Sequence, residues 1–358
     1  MTALHEARQR VREIDAQILR LVAQRLEHAR EIGRLKKLAG VPLRDWDVER
    51  AVLAHAEATA GELGLSRPLV RGLMQMLVGE SRRRQERESY ASYSGDAESV
   101  LVIGGRGRMG RWLCEFFADQ GHRVRAWDIA DPKHERPALD DLLRQATFTA
   151  VAASLETVPQ VIDELAQRGC RGLVFDIASL KGHLKGSIGR ARAAGLSITS
   201  IHPMFGPGTQ TLSDQVICLC DCGDAEATRR VRALFAETAA SLVELSLDEH
   251  DRLMGYVLGL SHLMNVLFVR VLMGSGGPLE RLTRVGSTTF HSQMQTTGTV
   301  IRDDPELYYA IQRLNPFTPQ LYADLGRELE ALTGSVLRGD RAAFVRAMQA
   351  ARAWVEQT

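Results

Sequence analysis

The chain has 358 residues, a formal net charge of +1, 45% apolar residues and 25% charged ones. That length allows two or three domains, and the composition is that of an ordinary globular chain. The balanced charge argues against a polyanion-binding protein, so no nucleic-acid partner is expected.

The opening segment "MTALHEARQRVREID" is charged throughout and lacks the apolar core of a secretory leader, so a cytoplasmic protein is expected. From Leu4 to Leu35 the apolar residues Leu4, Ala7, Val11, Ile14, Ile18 and Leu21 recur at spacings of three and four. This predicts one amphipathic helix of about nine turns. A stripe of that length cannot be buried by one helix, so a homodimer is expected. The same face carries Arg25 and Lys36 nearly in line, with Arg8 on its flank. Arg25 has apolar residues on both sides, so snorkelling to water is difficult. A buried cation needs an anion, and a row of cations on a helical face predicts a pocket for a small polyanion such as a dicarboxylate.

Two more helices follow. "PLRDWDVER" (42–50) leads into the second, with Asp45 and Glu49 on one face. "SRPLVRGLMQMLVGESRRRQ" (66–85) reads as the third, with Ser66 as N-cap and Pro68 in its first turn. Its late turns carry Ser81 and Gln85, and Arg82 to Arg84 are expected at the surface. The ordered set Arg8, Arg25, Lys36, Asp45, Glu49, Ser81 and Gln85 resembles the all-helical type of chorismate mutase over residues 1–92. The resemblance implies an intertwined dimer. In it Arg25 would bind one chorismate carboxylate and Arg8 of the second copy the other. Lys36 and Gln85 would hydrogen-bond the ether oxygen, Asp45 and Glu49 would hold the hydroxyl and neighbouring groups, and Ser81 a carboxylate.

A small, polar stretch (89–99) then reads as a linker. In "VLVIGGRGRMGRWL" (100–113), Gly105, Gly107 and Gly110 form G-x-G-x-x-G between a strand and a helix. This is the turn that seats a dinucleotide pyrophosphate on a helix N-terminus, with Arg106, Arg108 and Met109 interleaved. The second strand, "HRVRAWD", ends in Asp128, at the distance expected for a ribose-binding acid, which favours NAD over NADP. Further strands are predicted at 147–152, 172–177 and 197–201, alternating with helices as in a doubly wound α/β sheet.

Ligands of such sheets sit at the carboxyl ends of the strands. "FDIASLKG" places Asp176, Ser179 and Lys181 after one strand, and "SIHPMFGP" places His202 after the next. In "VICLCDC", Cys218, Cys220 and Cys222 alternate without a C-x-x-C pair, so reduced thiols rather than a metal site are expected. The most apolar stretch, "GYVLGLSHLMNVLFVRVLMG" (255–274), is interrupted by His262, Asn265 and Arg270 and reads as a buried helix rather than a membrane span.

"GGRGRMG", "DIASLKG", "IHPMFGP" and "LDEHDRLMGYVLGLSH" together resemble prephenate dehydrogenase, and the whole chain resembles the fused chorismate mutase/prephenate dehydrogenases of tyrosine biosynthesis. The resemblance implies a helical mutase domain (1–92), a Rossmann-like NAD domain (98–245) and a helical dimerisation and substrate domain (246–358). It implies rearrangement of chorismate to prephenate, then oxidative decarboxylation of prephenate with NAD, and tyrosine feedback as a family property. His202 would accept the proton of the ring alcohol. Lys181 would lie near cofactor and substrate, and Ser179 near the cofactor. The chain departs from the family twice. Thr299 stands where an arginine binds the ring carboxylate, leaving Arg302, Arg281, Arg284, His291 and Gln293 as substitutes. "AAS" (152–154) replaces Ser-Val-Pro, shifting the serine to Ser154. Two other readings keep the fold: a dehydrogenase acting on arogenate or 4-amino-4-deoxyprephenate, and an NAD-binding regulatory module without turnover.

Overall fold

A computed structural model describes residues 2–39, 46–89, 95–133 and 137–357. The chain forms two compact units: Met1–Ser179 with Gly186–Ser246, and Leu180–Lys185 with Leu247–Thr358.

The first unit opens with three helices, α1 (Thr2–Leu38), α2 (Trp46–Glu62) and α3 (Arg67–Ser89). Ser66 caps α3 as expected, its Oγ accepting from Leu69 N at 3.4 Å. α1 packs on α3, and α3 on α2. Leu26 and Ala29 of α1 are buried, whereas Leu4, Val11, Ile14, Ile18 and Leu21 are 49–64% exposed. The apolar stripe is as long as its periodicity predicted, but α3 covers it only around Leu26 and Ala29, and Ile32 and Leu35 beyond them are again half exposed or more.

A seven-stranded sheet follows. In chain order the elements are β1 (Ser99–Ile103), α4 (Arg108–Asp119), β2 (Arg123–Trp127), α5 (Leu139–Gln145), β3 (Phe148–Val151), α6 (Val158–Gln167), β4 (Leu173–Asp176), α7 (Lys185–Ala193), β5 (Ile198–Pro203), β6 (Val216–Asp221), α8 (Ala225–Ala233) and β7 (Ser241–Ser246). The strand order is β2-β1-β3-β4-β5-β6-β7. β1 to β5 run parallel, and every residue of β3, β4 and β5 is buried, as a sheet with helices on both faces requires. The three strands expected between residues 147 and 201 are β3, β4 and β5. Beyond them β6 pairs antiparallel with β5, because the connection 204–215 contains no crossover helix. A cluster of Trp112, Phe116, Phe117, Phe175 and Phe235 fills the core between the sheet, α4 and α8.

The second unit is helical: α9 (Leu247–Met254), a π-helical turn (Gly255–Leu260), α10 (Ser261–Met273), α11 (Leu279–Arg284), α12 (Thr288–Ile301), α13 (Pro305–Leu314), α14 (Thr318–Leu337) and α15 (Arg341–Val355). Here the sequence expectation is corrected. The stretch 255–274 is not a buried helix within one chain. It begins with the π turn, only Asn265 of α10 is fully buried, and Tyr256, Val257 and Val271 are more than half exposed. Within Leu247–Met273 an 18-residue window has a mean hydropathy of 1.6, so this helix is long and apolar enough to cross a membrane. Composition shows that such a face must be covered, and does not show by what.

Asp224 caps α8, accepting from Ala227 N at 2.9 Å, and also accepts from Ser197 Oγ. Asp224→Ala is expected to lower unfolding stability by about 1 kcal/mol, as loss of an N-cap does. A denaturant titration of the full chain checks this.

Candidate active sites

In the helical part, Arg25 sits on α1 with its guanidinium turned to α3. Its Nη1 donates to Ser81 Oγ at 2.7 Å and to the Leu77 carbonyl at 3.1 Å. Burial pulls the Arg25 pKa below its ordinary value, so the site is partly desolvated. Gln85 is buried one turn beyond Ser81 and donates to the Ala29 carbonyl at 2.6 Å. Lys36 is half-buried on α1 and Arg8 is exposed. Asp45 lies outside the described residues. Arg25, Ser81 and Gln85 are therefore gathered between α1 and α3, while Arg8 is exposed and has no hydrogen-bond or ion-pair partner among the described residues.

Glu49 has a neighbour that the sequence reading missed. Both of its carboxylate oxygens accept from Arg82 Nη1 at 3.1 Å. The expectation that Arg82 to Arg84 all lie at the surface is thereby corrected for Arg82, whose side chain is 14% exposed. Arg83 is exposed and Arg84 half-buried, and both pair with Glu80. A basic run reads as one solvated face until the helix is packed, and α2 covers only one side of α3.

The dinucleotide turn joins β1 to α4. A Cβ on Gly105 would lie 2.6 Å from Ala126 Cβ, and one on Gly110 would lie 2.0 Å from the Gly104 carbonyl. Those two glycines let the turn close on the sheet. At Gly107, the N-cap of α4, a Cβ would meet only the Gly104 carbonyl at 3.2 Å among near neighbours. The space above Gly107 is thus kept for something other than this unit's own packing, as a pyrophosphate seat requires. Asp128 is buried at the end of β2. It accepts from the backbone N–H of Arg106 at 2.8 Å and from that of Ala130 at 2.9 Å. The acid is thus fixed beside the turn, where it can meet ribose hydroxyls. The Arg106 side chain is drawn aside to Asp131, and Arg108 is exposed with Met109 half-buried.

His202 lies in β5, buried at 5% exposure and opposite Cys218 of β6. The loop after it leans on α4: Trp112 Nε1 donates to the Thr209 carbonyl at 2.8 Å, and Phe205 packs edge-on against Trp112. The parallel strands and this packing put His202 and the glycine turn at the same end of the sheet. Ser179 is half-buried beyond β4.

Lys181 belongs to the second unit. Its side chain has no exposed surface. Its backbone N–H and that of Gly182 donate to the two oxygens of Asp251, at 2.8 and 2.6 Å. A Cβ at Gly182 would lie 2.9 Å from that carboxylate, so glycine lets the loop seat on it. His250 Nδ1 lies 2.8 Å from Asp251 Oδ1, and Asn315 donates to the Asp251 carbonyl. Asp251 stands among Asp248, Glu249, His250 and Arg252 on α9, so nothing in the local pattern marks it out.

In the same unit the ring of His262 stacks on Tyr308 with centroids 4.1 Å apart, and burial lowers its pKa while Asp303 opposes the shift. Asn265 Oδ1 accepts from Thr297 Oγ1 at 2.7 Å and Gln293 Nε2 at 3.0 Å. Of the substitutes considered for the ring-carboxylate contact, Gln293 joins this network, whereas Arg281, Arg284, His291 and Arg302 are exposed. Thr299 is bonded to its own helix through the Gln295 carbonyl, and Ser154 pairs with Thr157.

The family model for chorismate mutase type II matches residues 7–86, and that for the prephenate dehydrogenase dimerization domain matches residues 246–350. The T-protein of Enterobacter agglomerans is 25% identical over 99% of this chain and 92% of its own length. That of Haemophilus influenzae is 21% identical over 99% and 93%. The chain belongs to the fused chorismate mutase/prephenate dehydrogenases. As one of these it shares its dehydrogenase fold with prephenate dehydrogenase of A. aeolicus, solved with hydroxyphenyl propionate and NAD+. That likeness has a TM-score of 0.59 at 15% identity, over 74% of this chain and 99% of that one. Arogenate dehydrogenase of Synechocystis gives 0.57 at 15% identity, over 72% and 99%.

Two glycine variants of this fused enzyme separate packing from ligand contact. Gly110→Ala is expected to lower the melting temperature and abolish NAD binding. Gly107→Ala is expected to weaken NAD binding with little change in melting temperature. Calorimetric NAD titration and thermal melts check both. Wild-type NAD affinity in Gly107→Ala would place the pyrophosphate elsewhere.

Proposed function

We propose that the chain carries out two successive reactions, chorismate to prephenate and then prephenate to 4-hydroxyphenylpyruvate. The observation that carries this is the half-buried Arg25 set against buried Ser81 and Gln85, built ahead of a dinucleotide turn and His202. The first reaction is a pericyclic rearrangement, in which the ether C–O bond breaks as a C–C bond forms. It needs no nucleophile, only a compact conformer and donors to the ether oxygen. Arg25, already desolvated and aimed by Ser81, is suited to a substrate carboxylate. Lys36 and Gln85 supply donors for the ether oxygen, and Glu49 with Asp45 holds the hydroxyl side.

In the second reaction NAD, when bound, supplies the nicotinamide that accepts hydride from the ring carbon bearing the alcohol. The glycine turn and the N-terminus of α4 hold its pyrophosphate, Asp128 its ribose, and Ser179 stands nearby. A 2′-phosphate at Asp128 would meet a fixed carboxylate, which favours NAD over NADP. His202 accepts the hydroxyl proton, a role an imidazole can fill near neutral pH. CO2 leaves from the ring carboxylate as the ring becomes aromatic. Lys181 is held by Asp251 in a dry loop, a fitting place for a cation near an anionic substrate. The mutase half makes prephenate, which favours that substrate over its amino relatives.

We further infer a cytoplasmic homodimer. Burying each half-exposed Leu or Ile of the α1 stripe gains about 1 kcal/mol, and a second copy offers the matching stripe. The exposed Arg8 would then serve the partner's site, and the apolar face of α10 would be covered in the dimerisation domain.

Arg25→Ala is expected to abolish mutase turnover and leave prephenate oxidation nearly intact, and His202→Asn to do the reverse. NADH absorbance with prephenate and NAD reads the oxidation, and disappearance of chorismate without NAD reads the mutase. Loss of both activities in a folded variant would overturn the two-site reading. Mixing Arg8→Ala with Arg25→Ala chains is expected to restore mutase activity that neither has alone, because one intact site forms in each mixed dimer.

A further inference from the structure

Arg82 does more than pair with Glu49. Its Nη2 donates to both carboxylate oxygens of Asp214 at 2.6 Å, while Nη1 serves both oxygens of Glu49 at 3.1 Å. One guanidinium therefore spans a mutase helix and the connection between β5 and β6, the one that follows His202. Asp214 is the only non-glycine residue with positive φ (65°) among the described residues. It sits in a turn closed by Gln215 N donating to the Leu212 carbonyl, with Thr211, Leu212 and Ser213 buried on its approach. A residue held in a sparsely populated backbone region on a clamped turn presents its side chain in one direction. Glu49, Arg82 and Asp214 line a cleft of about 780 Å³ with Leu53 and Met76.

The electrostatics give this bridge a purpose. Glu49 is the acid placed to hold the hydroxyl side of chorismate, and chorismate is a dianion. A second carboxylate beside it is repelled unless a fixed cation offsets its charge and sets its direction. Arg82 does both, and a planar guanidinium does so in a defined geometry only if its other edge is also fixed. Asp214 supplies that edge. We propose that Arg82 is a positioning residue of the mutase and Asp214 its anchor, so that a turn of the nucleotide-binding half completes the site of the helical half. This inference rests on the mutase reading of residues 1–92.

Steady-state kinetics of the full chain test it. Asp214→Asn removes the charge while keeping a residue type that tolerates positive φ. It is expected to raise KM for chorismate about fivefold or more, with kcat changed less than about twofold and NAD-dependent prephenate oxidation unchanged. In an Arg82→Met background, Asp214→Asn is expected to add nothing to KM. Arg82→Lys, which keeps the charge without the fork, is expected to give an intermediate KM and guards against misfolding of the methionine variant. Wild-type KM in Asp214→Asn, or effects of Asp214→Asn and Arg82→Met that multiply, would overturn the coupling. A fall in both activities tracking a lower melting temperature would mark a merely structural bridge and overturn it too. A wild-type chain that does not turn over chorismate overturns the mutase reading and this inference together, which distinguishes the two failures.

Discussion

The carboxylate of Asp251 has no exposed surface, and both of its oxygens have donors: Lys181 N and Gly182 N, with His250 beside them. A charge taken out of water must be matched by hydrogen bonds or it destabilises the fold by several kcal/mol. The same constraint shapes the other chemical regions. Arg25 is partly desolvated and is given Ser81 and a carbonyl. Asp128 is buried and is given two backbone N–H groups. In each case the partners also fix direction, so that satisfying a buried charge and aiming a functional side chain are one structural act.

Close packing supplies the second constraint, at the nucleotide turn. Gly104, Gly105 and Gly110 crowd against one another and against Ala126 and Ala152 so tightly that side chains there would overlap backbone or neighbouring side-chain atoms. Gly107 is spared most of that crowding, which leaves its face available. The loop after His202 is tied to α4 through Trp112 and Phe205, so His202 and the glycine turn share one rigid frame. The antiparallel return of β6 closes that frame, because a connection too short for a helix sends the chain straight back along β5.

Some of this was legible in the chain itself. Three-and-four spacing marks α1, and Arg25 on its apolar face marks a place where a cation needs partners, because a charge within an apolar stripe is a local contradiction that a helical period exposes. G-x-G-x-x-G with Asp128 marked the cofactor seat, since turn chemistry depends on near neighbours in sequence. Arg82 was not legible. It stands in "SRRRQ" beside two similar residues that pair with Glu80, and its two partners are 33 and 132 residues away. The exposure of α10 was misjudged for a related reason. Hydropathy records that a surface avoids water, whereas the identity of its cover is a matter of assembly.

The sequence by itself determined the order of the parts, the period of each helix, the glycine turn and the residue types at the proposed sites. Those depend on contacts between residues a few positions apart, where geometry follows from helix pitch or turn chemistry. Only the tertiary structure decided that Lys181 is seated on Asp251, that β6 runs against β5, and that Arg82 reaches both Glu49 and Asp214. Those are long-range meetings between chemically ordinary residues. Nothing in the local pattern distinguishes an arginine that faces water from one that two distant carboxylates draw inward.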